Sequence, residues 1–212
     1  MKKLLLASST AALLCAACGQ KADDNSGLGE IDSDVTMVTN ADILTHILSA
    51  RHSVRKYGAT VLDPDVIKSV LWAANGVNRI DGTHRRTAPS AVNAQDIEMY
   101  ALTDDGAYHY QAIDSTLVKI SDVDIRPTIA GRNEFILDQV TILLCSDQSK
   151  FDARFGERAM TFGAMDAGYV SQNICLYCAA AGLATVPCAP PIDAEAVQRA
   201  LGLPQHIIPL IY

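Results

Sequence analysis

The sequence predicts an α+β domain whose central, mainly antiparallel sheet is flanked by helices, and three observations predict it. Helical periodicities outnumber strand-like ones along the chain. From Glu98 the period switches to two, and Asp104-Asp105-Gly106 separates two short alternating runs, the pattern of a β-hairpin. Val140-Thr141-Ile142-Leu143-Leu144-Cys145 is a continuous apolar run of the kind found in a strand covered on both faces. With 212 residues and 49% hydrophobic composition, the chain can fill one core.

Taken in order, residues 1–17 resemble a bacterial lipoprotein signal peptide. Met1-Lys2-Lys3 supplies charge, Leu4 to Leu14 the apolar stretch, and Ala16-Ala17 the small residues before Cys18. Cleavage there would leave Cys18 for lipidation and anchor the protein on the periplasmic side of a membrane in the bacterial cell envelope. An ordinary secretory signal or a short anchor helix is the alternative, although the run is too short to span a bilayer comfortably. Residues 18–39 are polar, acidic and glycine-bearing, which suits a flexible tether. The folded domain is then 40–212. It contains no later run long and apolar enough for a transmembrane helix.

Asn40 is placed to cap a first helix carrying Ile43, Leu44, Ile47 and Leu48 on one stripe. Asp63 caps a second, with Pro64 at its first position, Val66, Ile67, Val70, Leu71 and Ala74 on the buried side, and Gly76 as the stop. Residues 77–90 read as an exposed loop with Arg79, Arg85 and Arg86. After the hairpin, Thr116 to Ile120 fits either a short helix or a strand. Phe155 to Ala181, closed by Gly182, is the longest helical signal and is apolar nearly all round, so it needs burial in the middle of a domain or at a subunit interface. Leu183 to Val186 reads as a strand, Asp193 to Gly202 as a capped helix, and Ile207 to Tyr212 as a last strand.

The formal charge of −7 argues against a nucleic-acid partner, since phosphate-backbone binding needs a basic face. Of six cysteines, Cys15 and Cys18 belong to the signal. Cys145, Cys175, Cys178 and Cys188 are expected as buried thiols, because the Cys-x-x-Cys pair lacks the strand-then-helix context of a redox centre. No pair of the five histidines has metal-ligand spacing.

Against this acidic background, Arg51-His52-Ser53-Val54-Arg55 concentrates basic charge. On a helix, Arg51 and Arg55 would share a face and grip one phosphate dianion while Ser53 donates its hydroxyl. A solvated basic turn at a helix C-terminus is the plainer reading.

Three motifs in order resemble the nitroreductase family of FMN-dependent oxidoreductases. They are Arg51-His52-Ser53-Val54-Arg55, then Ala88-Pro89-Ser90-Ala91-Val92-Asn93-Ala94-Gln95, then the long helix from Gln172-Asn173 to Gly182-Leu183 with Thr185-Val186-Pro187 after it. The stretches Trp72 to Gly76, Arg86 to Ser90 and Gly106 to Tyr110 look closest to the azoline peptide dehydrogenase branch. The resemblance implies a dimeric nitroreductase-like fold with FMN as cofactor. Arg51, His52, Ser53 and Arg55 would hold its phosphate and ribityl chain. Pro89, Ser90, Ala91 and Asn93 would approach the ring from the other subunit of a homodimer, and Pro187, Cys188 and Ala189 would run beside it. No side chain is implied as a catalytic base, because a flavin carries the hydride itself. The substrate would be a small electron-deficient molecule such as a nitroaromatic, a quinone or an azoline, with NAD(P)H as a donor. Asp96 stands where many members have Pro-Trp. The alternative functions are a lipid-anchored protein that binds flavin or another phosphate ligand without turnover, and an interaction module that kept the fold and lost the cofactor.

Overall fold

The computed structural model describes residues 38–58, 60–79, 81–130, 137 and 140–212. The signal peptide, Cys18 and nearly all of the tether lie outside the described residues.

Helix α1 (Asn40–Ala50) starts one residue earlier than its sequence suggests. Thr39 accepts from the Asp42 N–H while the Asp42 carboxylate accepts from the Thr39 N–H, a reciprocal capping box that satisfies two orphan donors at once. Helix α2 (Pro64–Asn75) begins as expected at Asp63, whose carboxylate accepts from the Asp65 N–H, and buries Ile67, Val70, Leu71 and Ala74. Gly76 is its C-cap, and a Cβ there would meet the ring and carbonyl of Trp72.

Among the described residues the sheet has five strands in the order β3-β2-β1-β4-β5, and each neighbouring pair is antiparallel. β1 (Ile97–Thr103) and β2 (Gly106–Gln111) form the expected hairpin. β3 (Thr116–Ser121) resolves the open choice as a strand, since it pairs along β2 from Gln111 to Ala107. β4 (Thr141–Asp147) lies between β1 and β5 (Ile207–Ile211), which explains its unbroken apolar sequence.

Period-two alternation sends the strands' side chains into two cores. On one face Met99, Ala101 and Leu144 pack with α2 and with Ala167, Val170, Ile174 and Cys178 of α4 (Arg158–Ala181). On the other, Tyr100, Leu102, Leu143 and Cys145 pack with Ile125, with Ile129 of the short α3 (Arg126–Ala130), and with Val197 and Leu201 of α5 (Ala194–Leu201). α4 ends at Gly182, in the left-handed region at φ 70°. It crosses β4 so closely that a Cβ on Gly163 would collide with the Ser146 side chain.

Of the two placements expected for α4, the middle of a domain holds for part of it only, since Met160, Met165 and Tyr169 are exposed in the single chain. Two readings change. Leu183–Val186 is not a strand; its backbone is held instead by the Arg51–Arg55 segment through the Val54 N–H, which donates to the Thr185 carbonyl at 2.9 Å. Arg86 is half-buried rather than loop-exposed, because its guanidinium reaches Gln95 Oε1 and the Asn75 carbonyl.

Candidate functional site

The basic segment is not helical. α1 stops at Ala50, and Arg51 is its extended C-cap (φ −61°, ψ 122°), its N–H still donating to the Ile47 carbonyl at 3.0 Å. The two arginines therefore do not meet as a helical i, i+4 pair. This is the plainer of the two sequence readings, a basic segment at a helix C-terminus, and the Val54 N–H is spent on Thr185 rather than on a helical partner.

Position brings the arginines together with a different segment. The Arg51 guanidinium lies near enough to α4 to draw down the Cys175 thiol, which burial pushes up, and Arg55 does the same for Cys188. Cys188 in turn exchanges two backbone hydrogen bonds with Tyr212, at 2.7 and 3.0 Å, tying this segment to the end of β5. Arg51, Arg55 and the stretch through Pro187, Cys188 and Ala189 thus gather at the C-terminal half of α4. The side chains of Arg51, Ser53 and Arg55 make no hydrogen bond or ion pair among the described residues. His52 is turned back on its own chain, with Nδ1 2.9 Å from the Ala50 carbonyl. Beside them opens an apolar cavity of about 350 Å³, lined in part by Tyr57, Leu62, Ile174, Cys178, Thr185 and Val186.

The second motif is a strained loop. Ser90 precedes a single 3-10 turn, Ala91–Asn93, and Val92, Asn93 and Gln95 have φ of 50°, 57° and 50°. A β-branched residue in the left-handed region is a true outlier that surrounding bonds must hold. The Gln95 N–H donates to Ser90 Oγ at 2.9 Å, which leaves the Ser90 hydroxyl proton free to donate. The Ala91 N–H donates to both carboxyl oxygens of Asp166, at 3.0 and 2.8 Å. Lys150 Nζ holds the Gln95 carbonyl at 3.0 Å. Pro89, Val92 and Asn93 face outward.

Within one chain these two groups do not converge. Asp166 anchors the loop and Cys175 lies within electrostatic reach of Arg51, and at about 1.5 Å rise per residue the nine steps from one to the other span roughly 13 Å along α4.

Asp166, Asp96, Ser146 and Lys150 support the loop yet carried no motif signal. The one available hint was Asp166 itself, the sole charge after Arg158 in a long apolar helix. The four described cysteines are free thiols; Cys145, Cys175 and Cys178 are buried as expected, whereas Cys188 is only partly buried. Burial, the neighbouring Cys175 and an opposing Thr185 bond leave the Cys178 thiol at about 11, too high for a nucleophile at neutral pH. Among the described residues no group of three or more His, Cys, Asp or Glu could hold a metal ion, and no helix is long and apolar enough to cross a membrane.

The family model "Nitroreductase family" matches residues 48–212, more than half of the chain. The chain belongs to the nitroreductase family. Membership makes it, in general terms, a flavin-dependent oxidoreductase. A protein of Methanocaldococcus jannaschii assigned as a nitroreductase is 28% identical over 153 residues, covering 68% of this chain and 76% of that protein. A solved chain from Ralstonia eutropha, also assigned as a nitroreductase, superposes with a TM-score of 0.71 at 26% identity, over 87% of this chain and 84% of that one. A chain of the microcin synthetase complex of E. coli, solved with truncated precursor bound, shares the nitroreductase fold at a TM-score of 0.64. It is 17% identical, over 89% of this chain and 76% of its own.

Proposed function

We propose that this nitroreductase-family chain is an FMN-dependent oxidoreductase that works as a homodimer on small electron-deficient substrates. The observation that carries the reading is the pair of guanidinium groups at Arg51 and Arg55, with the Ser53 hydroxyl, all without a partner among the described residues. Two cations and a hydroxyl presented on fixed backbone fit the terminal phosphate of FMN, for which charge-assisted bonds are the strong ones. His52 lies alongside, for the ribityl chain.

FMN, when bound, supplies hydride acceptance and donation at its N5 position. The chain's own part is to place and polarise. The backbone through Pro187, Cys188 and Ala189, fixed by Tyr212, gives a rigid wall beside the arginines. Pro89, Ser90, Ala91 and Asn93 would complete the site from the partner subunit, with Ser90 and Asn93 donating to the ring edge. No side-chain base is needed. Preorganised donors aimed at developing charge are enough.

The dimer is supported by unpartnered apolar surface. α1 buries no residue, yet it exposes Ile43, Leu44 and Leu48 on one stripe, and α4 exposes Met165 and Tyr169 one turn apart. A second copy would cover these faces, and would bring its 89–93 loop to the clamp that it cannot reach within its own chain. Substrates are a nitroaromatic, a quinone or a peptide azoline, the last favoured by the motifs near Trp72 and Tyr108, and NAD(P)H is the proposed donor. The N-terminal sequence supports export and lipidation at Cys18, which would put the enzyme on the periplasmic side of the cell envelope. The test is FMN titration of the purified protein and of its Arg51→Ala/Arg55→Ala variant: FMN bound by the first and lost from the second supports the reading, and equal binding by both would overturn the clamp.

A further inference from the structure

Asp166 and Asp96 are almost completely removed from solvent, at 1% and 0% exposure. Asp96 Oδ2 accepts from the Ser146 hydroxyl, whose oxygen accepts from Gln148 Nε2 at 2.7 Å. Asp96 Oδ1 is buried with no donor facing it from any described neighbour. The Asp96 carboxyl is near enough to Asp166 to raise it, and the Ala91 N–H is set against Asp166. Two adjacent carboxylates away from water cannot both carry charge. One proton held between them would supply the donor that Asp96 Oδ1 lacks, while the Asp166 carboxyl goes on accepting from the Ala91 N–H.

The cations on the packed elements are engaged elsewhere. Lys150 bonds Glu98 and the Gln95 carbonyl, Arg86 bonds Gln95 Oε1 and the Asn75 carbonyl, and neither bonds Asp96 or Asp166. Burial first, and the Asp96 carboxyl beside it, raise Asp166 to about 7 against the pull of the Ala91 N–H.

What the pair holds is the loop at 90–95, with three non-glycine residues in left-handed backbone. Such a backbone persists only where bonds over-determine it. We infer that Asp166 is a positioning residue that sets the shape of the Ser90–Gln95 loop through a proton shared with Asp96, so that the loop is set in acid and loosens as that proton leaves. The direction follows from linkage. A carboxyl raised on folding stabilises the folded state at low pH, and that contribution is lost as pH rises from the ordinary carboxylate range through about 7. The flavin half of the inference rests on the function proposed above; the loop half does not.

The test uses wild type, Asp166→Asn and Asp166→Ala from about pH 5.5 to about pH 8.5. It measures the protection factor of the Ala91 amide in flavin-free protein, and FMN affinity by fluorescence quenching. An Asn at 166 accepts from Ala91 and donates to Asp96 without titrating. The expected result is that wild type loses about tenfold in both measures across the range, while Asp166→Asn stays flat at the wild-type acid values and Asp166→Ala is weak throughout. An Asn variant that titrates like wild type would overturn the shared proton, and wild-type protection in the Ala variant would overturn the positioning role. If wild type binds no FMN at any pH, the flavin reading fails, and flat Ala91 protection would then also sink the carboxyl pair, whereas titrating protection would uphold it.

Discussion

The N–H of Val54 donates to the carbonyl of Thr185 at 2.9 Å, joining the middle of the Arg51–Arg55 segment to the chain leaving α4. α1 ends at Ala50, and beyond it Arg51 lies within electrostatic reach of Cys175 on α4 and Arg55 within reach of Cys188. The clamp is therefore a property of two distant segments, and its members can be removed without disturbing a core.

Arg51→Ala with Arg55→Ala is expected to give soluble, colourless protein. Each charge-assisted bond to phosphate contributes about 1.5 to 3 kcal/mol, so FMN affinity should fall by at least roughly a hundredfold. Thermal unfolding of the flavin-free variant should match wild type, since neither side chain bonds another described residue. Titration with FMN fluorescence and a melting curve check the two halves.

Leu44→Glu with Leu48→Glu places charge on the uncovered stripe of α1. Sedimentation at micromolar concentration is expected to show a dimer for wild type and a monomer for this variant. The monomer should also lose FMN, because its own 89–93 loop lies away from its clamp. A dimeric variant would contradict the assigned interface.

Much of the fold was legible because its signals are local. Asp63-Pro64 and Gly76 bracket α2, Asp104-Asp105-Gly106 turns the hairpin, and the unbroken apolar run of β4 announces a central strand. β3 was ambiguous because Thr116 to Ile120 suits either period, and only pairing with β2 decides it. For Arg51–Arg55 the sequence left helix and helix-end turn open, and for Leu183–Val186 it suggested a strand; what decides both is that the Val54 N–H bonds the Thr185 carbonyl, a partner neither segment shows locally. The site motifs could be found by order along the chain, whereas the carboxyl support of the 90–95 loop could not. Ala91 and Asp166 are 75 positions apart, and a lone charge in an apolar helix hints that a partner exists without saying which.

Glu98 should make the fold acid-sensitive. Burial raises its carboxyl, but the bonds from His109 at 2.9 Å and Lys150 at 2.6 Å outweigh it and hold Glu98 at about 2. A depressed carboxyl contributes stability above its unfolded value of 4.5, and that stability is lost as pH falls from there towards about 2. Glu98→Gln is expected to cost about 2 to 3 kcal/mol at neutral pH and to flatten this acid limb. Urea unfolding at several pH values measures both.

Gly163→Ala tests how closely α4 lies on β4. Alanine favours a helix by about 1 kcal/mol over glycine, yet a Cβ at 163 would sit 2.8 Å from Ser146 Cβ and strike its hydroxyl. Overpacking of this kind costs about 1 to 3 kcal/mol, so the net change should be a lower melting temperature. A stabilised variant would mean that α4 can lift from the sheet.

The most direct measurement is the visible spectrum of the purified domain after addition of FMN, followed by anaerobic NADH or NADPH. A protein-bound flavin band that bleaches with the nicotinamide is the expected result. A preparation that retains no flavin, even with FMN in excess, would contradict the proposed oxidoreductase.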